Sequence, residues 1–275
     1  MIRSLYTGIS GLRGHQTRMD VVANNIANVN TTGFKAGRAN FQDTLSQAVG
    51  RTGVNPAMVG LGVNLAGIDF LLTQGGLQTT YRTLDLAIEG NGFFILNSSI
   101  DGVATGVPNG SYSFTRDGTF YVDADGYLVN AQGLYVIDAN GGSPHAIRLS
   151  TTPQNISSVE IDELGNVTIN GGTAPAVGTQ IGLGAFANPE SLTRVGNNLY
   201  QITPNLTMPN TLATFDGAPG SPGRGKIRSG YLEMSNVDLA QEFTNMITTQ
   251  RGYQANARSI TTSDELLQEL VNLKR

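Results

Sequence analysis

The chain has 275 residues, no cysteine, a net charge of −4 and only 14% charged side chains, against about 25% in an ordinary soluble domain. Absence of cysteine excludes disulfides, thiolate catalysis and cysteine-held metals, and without a concentrated basic run a phosphate-reading nucleic-acid surface is excluded as well. The length suffices for a real core divided into more than one unit, and so sparse a charge suits a surface packed against copies of itself.

From the N-terminus, Ile2, Leu5, Ile9, Leu12, Gln16, Met19, Ala23 and Ile26 step by three and four. That spacing predicts a helix over about 4–27 whose seam packs lengthwise on other helices. Asn28 to Gly33 is a breaker cluster that ends it. Phe34 and Phe41 punctuate a polar stretch reaching Val49, and the glycines, Pro56 and scattered aliphatics of 50–67 predict an extended arm or hairpin with no clear core face.

Strand patterns follow. Leu84 to Ile88 alternates, Gly90-Asn91-Gly92 turns the chain into Phe93 to Leu96, and Tyr112 to Thr115, Phe120 to Val122, Leu128-Val129 and Leu134 to Ile137 repeat the theme. Asp117-Gly118 and Asp125-Gly126 are expected to supply the positive backbone angles of tight hairpin turns. Val159 to Ile161 and Val167 to Ile169 flank a further turn at Gly165-Asn166, and Ile181 to Phe186 reads as a buried strand. The whole is an antiparallel β domain, closed by turn chemistry between Asp216 and Gly225.

The last forty residues return to helical spacing through Leu239, Phe243, Met246, Gln250, Tyr253, Ala257, Ile260, Asp264, Leu267 and Val271. Ser235 or Asn236 is the expected N-cap, with Ser235 and Asp238 in capping-box spacing. Gln16, Gln250 and Asp264 interrupt the two apolar seams; a buried polar side chain must find a partner, and in doing so it fixes register.

No catalytic constellation emerges. His15 lies on a helix without a second ligand one turn away, and only His145 accompanies it in the chain; a surface or interface histidine is expected. Asp123 and Asp125 before Gly126 lack the remaining ligands of a calcium loop. Gly60-Leu61-Gly62 lacks the third glycine of a dinucleotide fingerprint, and Gly8-Ile9-Ser10-Gly11 lacks nucleophile-elbow spacing. The expectation is no enzyme, no cofactor, no metal and no small-molecule substrate. The opening Met-Ile-Arg-Ser-Leu-Tyr shows no cleavable signal pattern, and no window approaches the roughly 18 apolar residues of a membrane span; the residues alone point to the cytoplasm.

Asp20 to Lys35, with Asn24, Asn25, Ile26, Ala27, Asn28, Gly33 and Phe34 at its centre, resembles the N-terminal hallmark of the bacterial flagellar rod and hook proteins. Ser235-Asn236-Val237-Asp238-Leu239 and Met246 to Asn256 resemble the C-terminal signature of the same family, and Leu84 to Phe94 with Tyr112 to Gly118 is similar to its β domain. Phe186-Ala187-Asn188 and the ending Leu267 to Arg275 look most like the short hook proteins of Gram-positive flagella, with the distal rod protein as the alternative.

The resemblance implies an α+β fold. Terminal helices (1–30 and 235–275) pair as a core domain, an extended arm (31–75) links subunits, and an antiparallel β domain (76–230) is inserted between them. It implies a helical homopolymer around an export channel, with neighbouring rod, hook–filament junction and hook-cap proteins as partners. It further implies export unfolded through the flagellar type III apparatus, which places the protein in the flagellum and not the cytoplasm. The function so implied is a hook subunit, a flexible joint transmitting torque, the alternative being the rigid distal rod. The two apolar seams listed above, apart from Asp264, are then the candidate subunit interface.

Overall fold

A helix of twenty-odd residues needs a first turn without breakers and a firm stop. Helix α1 (Ile2–Ala27) has both, running without proline until the Asn28 to Gly33 turn cluster. The computed structural model describes residues 2–50, 57–99, 112–139, 145–150, 158–170, 174–175, 177–202 and 217–273. The Ile2 side chain, Pro56, Asp216, Lys274 and Arg275 lie outside the described residues. The second helix, α2 (Leu239–Leu273), is capped by Asp238, whose Oδ1 accepts from the amides of Ala240 (2.8 Å) and Gln241 (3.3 Å). The N-cap is thus Asp238 and not Ser235 or Asn236: one carboxylate oxygen takes both free amides of the first turn.

The chain divides into two units, the first comprising Met1–Val29, Lys35–Leu71 and Val237–Arg275 and the second Asn30–Phe34 and Leu72–Asn236. In the first unit, the stretch expected as an extended arm or hairpin without a clear core face forms antiparallel pairs. β1 (Gly37–Asp43) pairs with β4 (Val63–Phe70) through a bulge at Asn40/Phe41, and β2 (Ser46–Gly50) pairs with β3 (Ala57–Gly60) beyond it. Along β4, Val63, Leu65 and Gly67 are more covered than their neighbours Asn64, Ala66 and Ile68. The period-two signal is faint in the sequence because glycine stands at inward positions 37 and 67 and an apolar Ile68 points out.

Among its described residues the second unit pairs antiparallel throughout. It contains β5 (Leu77–Thr79), β6 (Leu86–Glu89), β7 (Phe93–Asn97), β8 (Tyr112–Thr115), β9 (Phe120–Val122), β10 (Leu128–Asn130), β11 (Tyr135–Val136), β12 (Val159–Ile161), β13 (Val167–Ile169), β14 (Leu183–Gly184), β15 (Leu192–Gly196), β16 (Leu199–Ile202), β17 (Lys226–Ser229) and β18 (Tyr231–Glu233). Seven strands run in the order β15-β16-β8-β7-β11-β10-β9, with β14 also on β7; β12–β13, β17–β6 and β18–β5 pair separately. One core gathers Leu86, Ile88, Phe94, Leu96, Phe120, Leu128 and Ile181, all fully covered, and a second gathers Phe93, Ile95, Phe114, Ile137 and Tyr200.

Two expected turns come out differently from each other. Asp125-Gly126 closes the β9–β10 hairpin with Gly126 at φ +80, as expected. Asp117-Gly118 does not close a hairpin, because β8 and β9 lie at different places in the sheet. Glycine is required at 118 for space: a Cβ there would stand 1.6 Å from the Leu86 carbonyl oxygen. Asp117 instead folds onto Thr119, accepting from its hydroxyl at 2.9 Å and its amide at 3.3 Å. Likewise Gly90-Asn91-Gly92 moves the chain from one pairing to another, β6 being bonded to β17 and not to β7.

Candidate subunit interface on the terminal helices

At 100° per residue α1 presents separate lengthwise faces. One face carries Ser4, Gly8, Gly11, His15, Arg18 and Val22, in steps of four and three, and lies against α2. A Cβ on Gly8 would stand 2.9 Å from Ile260, one on Gly11 2.5 Å from the Asn256 amide, and one on Gly252 2.6 Å from the His15 ring. Ser4 and Ser263 hydroxyls meet at 3.3 Å, and Arg18 Nη2 donates to Asn245 Oδ1 at 3.5 Å. Thr249 and Ser263 are the buried residues of α2. The seam inside this chain is therefore built from small and polar residues that let two backbones approach closely.

A second face, with Ser10, Gly14, Val21 and Asn25, meets the β1–β4 pair. Ser10 Oγ accepts from the Val63 amide at 3.3 Å, Phe41 and Val63 close over Gly14, and Val21 approaches Gly37. Asn25, 1% exposed, exchanges two hydrogen bonds with the Gly37 backbone.

The apolar seam read from the sequence is offset by one residue from the α2 contact, and this separates it from both faces. Leu5, Leu12, Met19 and Ile26 are half-buried, and Ile9, Gln16 and Ala23 are exposed. On α2, Met246, Ala257, Ile260 and Leu267 are half-buried, whereas Leu239, Phe243, Gln250, Tyr253 and Val271 are exposed, Phe243 by 50%. Ile260 differs from the rest in packing on Gly8. Sequence reasoning missed Gly8, Gly11, Asn245, Thr249, Gly252, Asn256 and Ser263; the signal was present as a heptad of small side chains, which an apolar search passes over.

The remaining motif residues do local structural work. Asn28 Nδ2 donates to the Asn24 carbonyl at 2.9 Å and to Asn24 Oδ1 at 3.0 Å, closing the last turn of α1, while Ala27 is exposed. In the second unit Gly33 (φ +66) donates its amide to the Glu233 carbonyl at 2.8 Å, and Phe34 is buried with the Arg194 guanidinium 4.6 Å from its ring centre. Asn236 Nδ2 donates to Thr73 Oγ1 at 2.9 Å; Ser235 and, in the first unit, Val237 are half-buried. Among the described residues no three or more His, Asp or Glu side chains converge as metal ligands, and no helix is long and apolar enough to cross a membrane.

Three family descriptions match along the chain: flagella basal body rod protein over residues 5–35, flagellar hook protein FlgE/F/G D1 domain over 87–169, and flagellar basal body rod FlgEFG protein C-terminal over 228–273. The flagellar basal-body rod protein FlgG of Bacillus subtilis is 45% identical over 283 residues, with all of both chains covered. FlgG of Borreliella burgdorferi is 36% identical over 285 residues, again with both chains fully covered. The flagellar hook protein FlgE of Borreliella burgdorferi is 30% identical, but its alignment extends over 458 residues.

Proposed function

This chain belongs to the bacterial flagellar rod and hook protein family, an axial structural protein of the flagellum and not an enzyme, and we propose that within that family it is the distal rod subunit. The observation that carries this reading is collinearity. The chain aligns from end to end with rod proteins of its own size, whereas the hook relative needs 458 aligned residues against the 275 present here. The hook assignment expected from Phe186 and the C-terminal run gives way accordingly. Phe186 packs edge-on against Phe93 and Phe114 at 5.9 and 4.8 Å, a core duty that any member with this β domain can require.

In this reading the rod is a helical homopolymer, and the offset apolar rows of α1 and α2 are covered by neighbouring copies. Each exposed side chain so covered contributes at most about 1.5–3 kcal/mol, and those already half-buried in the single chain contribute less. Leu5, Ile9, Leu12, Met19, Ala23 and Ile26 of one helix and Leu239, Phe243, Met246, Tyr253, Ala257, Leu267 and Val271 of the other form the intersubunit surface; Gln16, Gln250 and Asp264 set its register, and Ile260 stays within the chain. Other axial proteins at the ends of the rod and the flagellar type III export apparatus complete the partners.

Electron microscopy of basal bodies carrying this protein as the sole copy tests the assignment. A straight, rigid segment is expected. A curved, bending tube beyond the basal body would overturn the rod reading in favour of the hook.

A further inference from the structure

One carboxylate in the second unit gathers segments that are far apart in the chain. Glu233, in β18, is 1% exposed; its Oε2 receives Arg116 Nη1 at 3.2 Å across 117 residues of sequence, and its Oε1 receives the Gly75 amide at 3.0 Å across 158. Its backbone carbonyl accepts from Gly33 at 2.8 Å. Arg116, at the end of β8 and 4% exposed, also donates through Nη2 to the Gly90 carbonyl at 2.9 Å and lies 5.3 Å from the Phe93 ring centre. Burial pulls the Arg116 guanidinium below its ordinary pKa, and the charge and hydrogen bond of Glu233 oppose that pull.

An enclosed guanidinium without its counter-charge is strongly unfavourable, far more so than a pair replaced by apolar groups. At the β7–β8 corner Arg116 meets Gly90 and Phe93, earlier in the chain by 26 and 23 residues, yet among the described residues its paired carboxylate arrives more than a hundred residues later. We infer that the Arg116–Glu233 pair is a closing clasp: the β7–β8 corner of the second unit completes its fold only when β18 returns to it. Strands β7 and β8, adjacent in the chain order, are therefore left incomplete at this corner until the C-terminal part of the chain is in place. This does not depend on where in the flagellum the chain assembles.

Refolding of the full chain from denaturant, followed by pulsed hydrogen exchange, tests the clasp. In the wild-type chain, amides of Phe93–Asn97 and Tyr112–Thr115 should gain protection in the same kinetic phase as those of Tyr231–Glu233. Glu233→Gln should slow that phase about tenfold or more. The charge-free pair Arg116→Met with Glu233→Met should restore or exceed the wild-type rate and let the β7–β8 amides be protected ahead of β18. Early β7–β8 protection in the wild type, a wild-type rate in Glu233→Gln, or a double variant as slow as the single one would each overturn the inference. If Glu233→Gln fails to fold, folding of the double variant supports the clasp and its failure overturns it.

Discussion

The Asn25 carboxamide and the Gly37 backbone are joined by two hydrogen bonds, Nδ2 donating to the Gly37 carbonyl at 2.8 Å and the Gly37 amide donating to Oδ1 at 2.9 Å. A side-chain amide here supplies what an adjacent strand would supply, and it fastens the last turn of α1 to the first residue of β1. Only Asn or Gln carries a donor and an acceptor in that arrangement, and Gln is one methylene too long.

Asn25→Ala should therefore strand a donor and an acceptor at Gly37, costing about 1–3 kcal/mol for each group left without a partner or water. Urea unfolding followed by helical circular dichroism, with hydrogen exchange at the Gly37 amide, checks it. A change below about 0.5 kcal/mol with unchanged exchange, within the usual range for surface substitutions, would show that the bonds are dispensable.

The close seam makes a second prediction. Gly252→Ala puts a methyl where the His15 ring stands, so it should weaken the α1–α2 pairing, and adding His15→Ala should recover part of the loss. A double-mutant cycle on thermal unfolding should give a coupling of about 0.5–3 kcal/mol. Strict additivity would mean that the two residues do not share a contact.

The offset between seam and apolar row separates two kinds of damage. Phe243→Asp, at a position 50% exposed in the single chain, should leave the folded monomer as stable as before and abolish polymerisation, because an unpaired carboxylate would be buried only on assembly. Ile260→Asp, which falls on Gly8 inside the chain, should lower helical stability of the monomer as well. Sedimentation and calorimetry on the same preparations distinguish them. Normal polymers from Phe243→Asp would place that residue outside the interface.

Tyr200 is 2% exposed, its hydroxyl has no hydrogen-bond partner among the described residues, and burial pushes its pKa above the ordinary tyrosine value. A group whose pKa is raised on folding contributes stability that is complete below the unfolded-state pKa, near 10, and is lost as pH climbs through the folded value. The second unit should thus lose stability above about pH 10. Tyr200→Phe should blunt that loss and leave stability at pH 7 unchanged or raised by about 1 kcal/mol. A destabilisation of 2 kcal/mol or more at neutral pH, the cost of losing a satisfied buried group, would show that the hydroxyl is bonded.

Helix positions, most strands and the nested order of helix, β region and helix were legible from local spacing, because periods of 3.6 and 2 are properties of a single segment. Phe120–Val122 and Leu128–Asn130 were legible as a hairpin for the same reason: Gly126 adopts the αL turn that adjoining residues demand. What spacing does not carry is choice of partner. Leu86–Glu89 reads as the mate of Phe93–Asn97 and pairs instead with Lys226–Ser229, and Asp117-Gly118 reads as a hairpin and is a crossing point.

The terminal helices show the same division. Sequence alone determined that each is amphipathic and that a row of apolar side chains seeks cover. Tertiary structure decided which row meets which: glycine, serine and asparagine at Gly8, Gly11, Gly252, Asn256 and Ser263 bring α1 and α2 together, and the apolar row is turned aside from that contact. The physical reason is that hydrophobic burial is non-directional and indifferent to partner, whereas backbone approach is settled by the shape of both helices at once. A chain read one segment at a time records the first and is silent on the second.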